Sequence, residues 1–206
     1  MKKFIKTSGK IISYNEKKLY HGRKKINKKI AQKNLLVIRN ILIKTNIRWG
    51  LIFGTLLGAI REKNFIAHDE DTDIFVLYED KKKLIDLIYR FMNSGFKIAR
   101  YEENSLLSII KKNEYIDFYL FKKKLLGRRC LDYYIPEVYF EKLKKIKLFN
   151  YYFPTLNKAK EYLVFQYGQD WKVSKKNNHA KPNIYWKKII KKLFPKIVNI
   201  YHFLKS

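Results

Sequence analysis

Four carboxylates stand within five residues of a strongly basic chain, and this acidic run constrains the structure more than any other feature. The acids are Asp69, Glu70, Asp71 and Asp73, whereas the 206 residues together carry 46 Lys and Arg against 18 Asp and Glu, a formal net charge of +28. Carboxylates so close together repel one another unless a positive charge compensates them. We therefore expect a positive ligand to bind at the run; the alternative is a solvated acidic turn.

The apolar segment that follows the acidic run predicts a β-strand and shows which acids act together. Because side chains alternate along an extended chain, Asp71 and Asp73 share one face, where Asp69 is a further candidate. Glu70 and Thr72 point to the opposite face. Two carboxylates on one face at the start of a strand can bind Mg²⁺ or Mn²⁺ together with phosphate oxygens. The pattern thus favours a metal site over an acidic turn.

The segment that precedes the acidic run predicts a buried strand over residues 49–53, followed by a turn and a helix. Thr55 is typical of a helix N-cap, and the helix extends to about Glu62. Gly54 allows a ligand to approach the backbone closely, and the N–H groups at a helix N-terminus favour an anion. Gly54 and Thr55 are therefore candidate phosphate-binding residues. Arg61 is either a phosphate contact or a surface residue.

Asp117 is the third candidate carboxylate, and it lies inside an apolar segment. Residues 115–121 predict a strand, and an acid in such a strand is costly unless it is paired or binds a metal. The alternative is a partly exposed strand residue. Upstream, Asp80 is predicted to cap one helix that ends at Ser94-Gly95, and residues 96–101 and 105–111 predict two more strands.

The rest of the chain predicts additional elements around this core. The predictions are a Lys-rich arm over residues 1–25, a helix over 26–45, a turn with a basic tip at Gly127-Arg128-Arg129, two short strands over 143–148 and 151–153, a helix capped by Asn157 and closed after Tyr167, and a basic amphipathic tail from Pro182. Together they give a single domain that contains both helices and strands.

Composition limits the classes of function and of cellular location. The basic balance indicates an anionic partner, such as nucleic acid, acidic lipid or a phosphorylated glycan, although an AT-rich genome would also enrich Lys. The single cysteine, Cys130, excludes an internal disulfide and a Cys-based zinc site, and it fits a reducing compartment. No apolar run reaches the roughly 20 residues of a transmembrane helix. We therefore expect a cytoplasmic protein, free or bound at the inner face of the membrane.

The order of these motifs resembles a known fold and family. A strand, a Gly-Thr turn, a helix, an Asp-x-Asp strand and a later Asp resemble the nucleotidyltransferase fold. This resemblance implies an α+β fold with a mixed β-sheet flanked by helices and with additional N- and C-terminal helices. The segment GTLLGAIREKNFIAHDEDTDI is similar to the signature of the LicD/fukutin family of phosphoryl-alcohol transferases. YIDFYLF at residues 115–121 and FPTLNKAKEYLVFQYGQDW at 153–171 extend the similarity. The chain departs from the family pattern at His68, Glu70 and Thr72 but keeps Asp71 and Asp73.

The resemblance implies a domain organisation. It covers roughly residues 46–172, which we interpret as a nucleotidyltransferase-like catalytic domain. Residues 1–45 would then form a basic arm and an N-terminal helix, and residues 173–206 a basic amphipathic C-terminal tail with further helix.

The resemblance also implies an activity and its partners. A phosphorylated alcohol, such as phosphocholine or a polyol phosphate, would pass from a CDP-activated donor to a sugar hydroxyl of a cell-surface glycan or glycolipid precursor, with release of CMP. Independently of the resemblance, the basic amphipathic tail either lies on an anionic membrane surface or packs as an ordinary helix.

The same resemblance assigns roles to the candidate residues. Asp71 and Asp73 would hold Mg²⁺ or Mn²⁺ on the diphosphate, and Arg61 would stabilise charge in the transition state. Asp117 would either bind a second metal or accept the proton of the acceptor. The predicted substrate-binding residues are Gly54, Thr55, Arg61 and His68.

Two other functions are compatible with the residues. The first is a nucleotidyltransferase that moves a nucleoside monophosphate onto RNA or a small molecule; the basic charge favours it, but the chain has no recognisable RNA-binding module. The second is a non-catalytic basic binding protein in which the acids only cap a turn.

Overall fold

A computed structural model describes residues 2–17 and 25–174. In chain order, the elements are β1 (Lys2–Lys6), β2 (Ile11–Asn15), α1 (Lys28–Leu42), β3 (Trp49–Leu51), α2 (Phe53–Arg61), β4 (Thr72–Leu77), a 3-10 turn (Tyr78–Asp80), α3 (Lys81–Asp86), α4 (Ile88–Asn93), β5 (Lys97–Glu102), β6 (Leu106–Lys111), β7 (Glu114–Lys124), β8 (Gly127–Cys130), β9 (Tyr133–Pro136), a second 3-10 turn (Glu137–Tyr139), β10 (Lys144–Leu148), β11 (Tyr151–Thr155) and α5 (Ala159–Tyr167).

The centre of the molecule is a mixed sheet with the strand order β10-β11-β3-β4-β7-β6-β5. All six residues of β4 are buried, as expected of a strand inside a sheet covered by helices. Strand β4 runs parallel to β7, and their register sets Asp73 opposite Asp117. On the other side of β4, β3 runs antiparallel to it. The α+β class and the mixed sheet flanked by helices are therefore confirmed.

Helix α1 confirms the helix that was predicted over residues 26–45, and it covers the sheet with one apolar face. The Asn27 side chain accepts a hydrogen bond from the Ile30 N–H at 3.2 Å and so caps the helix. Leu35, Ile38 and Leu42 are fully buried on the inner face. From the same helix, Asn34 Nδ2 donates to the carbonyl of Lys111 at 2.9 Å, which attaches α1 to the β6–β7 hairpin.

The N-terminal arm is an ordered hairpin, β1–β2, over most of its length. Ile5, Ile12 and Tyr14 alternate inward and are buried, while the residues between them are exposed. The Lys17 N–H donates to the carbonyl of Ala99 at 2.8 Å, so the arm is attached to β5. The sequence contains this alternation and the Thr-Ser-Gly-Lys turn, but the many lysines made the strand pattern too weak to predict a hairpin.

The single helix predicted after Asp80 is wrong, because two short helices, α3 and α4, meet at Leu87. The Asp80 side chain also does not cap the first of them. Its Oδ2 atom accepts hydrogen bonds from the backbone N–H and from Nε of Arg48, at 3.0 and 2.7 Å. The charged guanidinium is a stronger partner for a carboxylate than the neutral N–H groups of the helix.

The predicted turn at Gly127-Arg128-Arg129 is also wrong, because these residues form strand β8 and the turn lies before them, at Leu125 and Leu126. Arg128 is only 5% exposed. Both carboxylate oxygens of Glu79 accept hydrogen bonds from Arg128 Nη1, at 3.0 and 2.9 Å, and Glu137 accepts from Nη2 at 3.0 Å. The arginine is buried because both acids pair with it there.

The C-terminal part of the chain is described only as far as residue 174. Helix α5 begins at Ala159 rather than directly after Asn157, since Lys158 adopts a left-handed conformation with φ of 50°. Gly168 closes the helix as expected. The amphipathic tail predicted from Pro182 lies outside the described residues. Within the described ranges, no helix combines the length and the apolar character that crossing a membrane requires.

Candidate functional site

Helix α2 points its N-terminus at the start of β4 and fixes the position of Asp73. The helix begins at Phe53 with Ile52 as its N-cap, so the prediction that Thr55 caps it is wrong. Thr55 lies in the first turn and is fully buried. Its Oγ1 accepts a hydrogen bond from the Asp73 N–H at 2.8 Å, and its own N–H donates to Asp73 Oδ2 at 3.4 Å. The helix dipole further favours a carboxylate at this end.

Phe53 makes the sharp turn from β3 into α2. Its φ of 45° lies in the left-handed region, which costs a residue other than glycine about 1–3 kcal/mol. Its buried ring packs against Tyr119 and Tyr133, with centroid distances of 5.0 and 4.5 Å. This aromatic packing stabilises the strained turn and so brings the first N–H groups of α2 beside the acids.

Asp69, Asp71 and Asp73 form a cluster, which we call the carboxylate triad. Each contributes an oxygen atom that lies within 4.8 Å of the other two. Asp73 is buried, whereas the other two are half-buried. The structure thus brings Asp71 and Asp73 together and adds Asp69, while Glu70 lies outside the cluster. The ligand roles of these residues stay predictions.

The electrostatics of the carboxylate triad fit a cation. Burial, followed by the charge of Asp71, raises the pKa of both Asp69 and Asp73 well above the ordinary value. Asp69 Oδ2 is also buried, and no hydrogen-bond donor among the described residues reaches it. A divalent cation would reduce the repulsion among these carboxylates and would give Asp69 Oδ2 a partner. Carboxylate oxygens are the ligands that Mg²⁺ and Mn²⁺ prefer.

Gly54 allows the carboxylate of Asp69 to lie against the backbone of α2. A Cβ atom at position 54 would stand 2.9 Å from Asp69 Oδ1 and 3.0 Å from Oδ2, which is too close for real contacts. The sequence predicted a close approach here, but the group that approaches is Asp69 of the same chain. The further prediction that Gly54 and Thr55 bind phosphate stays a prediction.

Asp117 lies beside the carboxylate triad without being part of it. It stands opposite Asp73 in the register of β4 and β7, and it is 3% exposed. Its charge contributes to the raised pKa of Asp73. Arg100 Nη2 lies 3.6 Å from Asp117 Oδ2, an ion pair that no local sequence signal revealed. The role of Asp117 as metal ligand or proton acceptor stays a prediction.

Arg61 and His68 have different surroundings. Arg61, in the last turn of α2, donates from Nη1 to the Trp171 carbonyl at 3.2 Å and from Nη2 to Glu62 Oε1 at 2.8 Å. Its Nε atom is buried, and no described residue accepts from it. His68 is exposed next to the acids. Both stay candidates for substrate contact.

Three tyrosines that the sequence analysis missed surround the carboxylate triad. Burial and the charge of Asp73 raise the pKa of Tyr119 and Tyr167 far above the ordinary value, and that of Tyr133 to about 12. These phenols therefore stay protonated near neutral pH and can donate hydrogen bonds to phosphate oxygens. Tyr119 could have been found, because it follows Asp117 by two residues and shares its face. No local pattern indicated the other two.

The chain matches segments of two uncharacterized rickettsial proteins. It is 30% identical over 84 residues to one from Rickettsia typhi, which covers 41% of this chain and 26% of that protein. It is 36% identical over 59 residues to one from Rickettsia prowazekii, which covers 29% of this chain and 22% of that protein. The matched segment therefore spans about a quarter of the length of these relatives.

The fold and the family follow from two further comparisons. The solution structure of the antibiotic-resistance factor ANT(2'')-Ia superposes with a TM-score of 0.50 at 11% identity and covers 84% of this chain and 89% of that one. At this identity the likeness shows the fold alone. The family model described as LicD/FKTN/FKRP, nucleotidyltransferase domain, matches residues 46–196 and so extends beyond residue 172, where the resemblance seen in the sequence ended. The chain therefore belongs to the LicD/FKTN/FKRP family.

Proposed function

We propose that this protein transfers a phosphorylated alcohol, such as phosphocholine or a polyol phosphate, from a CDP-activated donor to a sugar hydroxyl and releases CMP. The observation that carries the proposal is the carboxylate triad at the N-terminus of α2, with ligand oxygens within 4.8 Å of one another. It lies on a nucleotidyltransferase domain of the LicD/FKTN/FKRP family. An anionic diphosphate cannot approach three carboxylates unless a cation lies between them.

The residues that would hold Mg²⁺ or Mn²⁺ are Asp69, Asp71 and Asp73. When bound, the ion neutralises the charge of the diphosphate and of the leaving CMP. Asp69 carries the buried oxygen that lacks a donor, and Asp73 is fixed by Thr55. Asp73 is therefore positioned before the ligand arrives, which reduces the ordering that binding requires.

The remaining groups would act on the substrates. Protonated Tyr119 and Tyr133 donate hydrogen bonds to phosphate oxygens, and the free N–H of Arg61 Nε offers a cationic donor. Asp117 either accepts the proton of the attacking hydroxyl or binds a second ion. The attacking oxygen forms its bond to the alcohol-bearing phosphorus while the bridging P–O bond to CMP breaks.

The partners in this proposal are a CDP-activated alcohol and a glycan or glycolipid precursor. We place the reaction in the cytoplasm, at the inner face of the membrane, where CDP-linked donors and the growing glycan would meet. The net charge of +28 favours acceptors and surfaces that carry negative charge.

A panel of CDP-alcohols tests this proposal, with Mg²⁺ present and CMP release as the readout. The wild-type chain is compared with Asp71→Asn/Asp73→Asn and with Glu70→Gln, which alters a charge in the same run outside the triad. We expect release from at least one donor, loss in the double variant and retention in Glu70→Gln. No release from any donor in the presence of glycan acceptors would refute the proposed transfer.

Transfer of a nucleoside monophosphate is the second candidate, because the family description itself names a nucleotidyltransferase domain. The two reactions differ in their products. Release of pyrophosphate from a nucleoside triphosphate, with RNA or a small molecule as acceptor, would replace the first proposal. Release of CMP from a CDP-alcohol supports it.

A further inference from the structure

The turn between β7 and β8 exposes two adjacent leucines at the end of a projecting hairpin. Leu125 is 78% exposed and Leu126 is 43% exposed. Strands β7 and β8 pair up to Lys124 and Gly127, so the leucines form the tip itself. Large apolar side chains gain nothing from water at such a tip, and adjacent exposed ones are typical of a surface that meets another apolar phase.

Basic residues surround this tip on both strands. Lys122, Lys123 and Lys124 are exposed on β7, and Arg129 is exposed on β8. Lys122 stands directly opposite Arg129, and like charges in that position destabilise a strand pair. Among the residues that the structure describes, the acids that form ion pairs with this hairpin are Glu79 and Glu137, and both are bonded to the buried Arg128. An anionic partner would relieve this repulsion.

The hairpin lies at the opposite end of the sheet from the carboxylate triad. Strands β4 and β7 run parallel, with Asp73 and Asp117 paired near their beginnings and Leu77 paired with Phe121 at the other end. The tip follows Phe121 and extends beyond that end. A partner bound there leaves the triad open to its own ligands.

We propose that the tip of the β7–β8 hairpin docks on an anionic lipid surface, with Leu125 and Leu126 in the headgroup–acyl boundary and the surrounding bases on lipid phosphates. Apolar residues ringed by Lys and Arg match such a surface in both polarity and charge. A nucleic acid would satisfy the bases but leave the leucines without a role, since bases stack on aromatic rings. The inference does not depend on the proposed reaction.

Vesicle binding by the full chain tests this docking. The vesicles contain phosphatidylcholine alone or phosphatidylcholine with phosphatidylglycerol, and we expect binding only to the second kind. Lys122→Gln/Lys123→Gln/Lys124→Gln should lower the partition coefficient roughly a hundredfold, and Leu125→Ser/Leu126→Ser roughly tenfold. The matched control is Lys144→Gln/Lys145→Gln/Lys147→Gln, which removes the same charge from exposed positions of β10.

The control separates docking by the hairpin from attraction by net charge. Equal losses in the two lysine variants, or no binding to anionic vesicles, would overturn the proposal. Retained vesicle binding in Leu125→Ser/Leu126→Ser would do the same, because it would show that the tip does not enter the lipid. Thermal melts of each variant confirm that these surface changes leave the fold intact.

A fluorescent label at the tip gives an independent readout. Cys130 is the chain's single cysteine and is 2% exposed, so a cysteine introduced elsewhere reacts selectively. The fluorescence emission of an environment-sensitive dye attached to the new cysteine of Leu125→Cys should shift to shorter wavelength when anionic vesicles are added. The same dye on Leu131→Cys, which is 39% exposed at the other end of β8, should not shift. Equal shifts at both positions would contradict docking through the tip.

Discussion

Thr55 and Asp73 hold each other through reciprocal hydrogen bonds between α2 and β4. The Asp73 N–H donates to Thr55 Oγ1 over 2.8 Å, and the Thr55 N–H donates to Asp73 Oδ2 over 3.4 Å. Thr55 is fully buried and Asp73 is 6% exposed, so water does not compete for these bonds. The position of the Asp73 carboxylate is therefore set by the backbone of two elements.

Replacing Thr55 by Val should reduce the free energy of unfolding by about 1–3 kcal/mol, because the buried N–H of Asp73 loses its acceptor. Urea unfolding measures the effect. Thr55→Ser keeps the hydroxyl and serves as the control. A valine variant as stable as the serine variant would show that this hydrogen bond does not contribute to the stability of the fold.

Replacing Gly54 by Ala should weaken divalent-ion binding roughly tenfold or more, because the new methyl group displaces the Asp69 carboxylate. The measurement is the Mg²⁺ or Mn²⁺ concentration that gives half of the rise in melting temperature. Gly9→Ala adds a methyl group in open space and is the control. An unchanged midpoint in Gly54→Ala would argue against Asp69 as a ligand.

The stability of the metal-free protein should fall, relative to a variant without Asp73, as the pH rises. Burial and neighbouring carboxylates raise the pKa of Asp73 in the folded state above its unfolded value. The folded state thus binds more protons between these two values, so its stability is lost as pH rises through the folded pKa. In EDTA, the free energy of unfolding of Asp73→Asn should therefore rise relative to that of the wild type as the pH increases over this interval.

Two controls accompany the pH measurement. Glu161→Gln changes an exposed acid and should follow the wild type at every pH. Saturating Mg²⁺ should remove or reverse the advantage of Asp73→Asn, because the ion stabilises the ionised carboxylate. An advantage of Asp73→Asn that does not change with pH would contradict the mutual repulsion of these acids.

Replacing Arg128 by Met should destabilise the fold by about 1–3 kcal/mol, because Glu137 would lose this partner and Glu79 would keep only the weaker ion pair with Arg48. Guanidinium unfolding provides the value. Arg129→Met changes the neighbouring exposed arginine and should alter stability by less than about 1 kcal/mol. Equal effects would mean that the buried ion pairs contribute no more than surface charge.

The features that the sequence predicted well depend on local periodicity. Alternation predicted that Asp71 and Asp73 lie together at the start of β4, apolar spacing located α1, and the isolated acid in an apolar strand pointed to Asp117, whose role stays a prediction. Each of these signals is contained in a few neighbouring residues. The family and the fold class were recognised for the same reason, since the motifs that define them are short and occur in order.

The features that the sequence missed depend on partners that are distant in the chain. Arg128 looked like a surface residue because Glu79 lies 49 residues away. Thr55 looked like a cap, but its hydroxyl is bonded to Asp73, 18 residues on. Tyr167 reaches the carboxylate triad only through the packing of α5. Local propensity contains no information about such pairings, so only the folded structure reveals them.

The parallel course of β4 and β7 also limits the distance between the acids of the site and the tip of the β7–β8 hairpin. Seven residues separate Asp117 from Lys124 along β7, and a strand rises about 3.3 Å per residue, which gives at most about 23 Å between the carboxylates and the base of the hairpin tip. A chain that rests on lipid through this tip would hold its acids within that distance of the headgroups. Under the proposed transfer, the acceptor hydroxyl would therefore lie within the same distance of the bilayer surface.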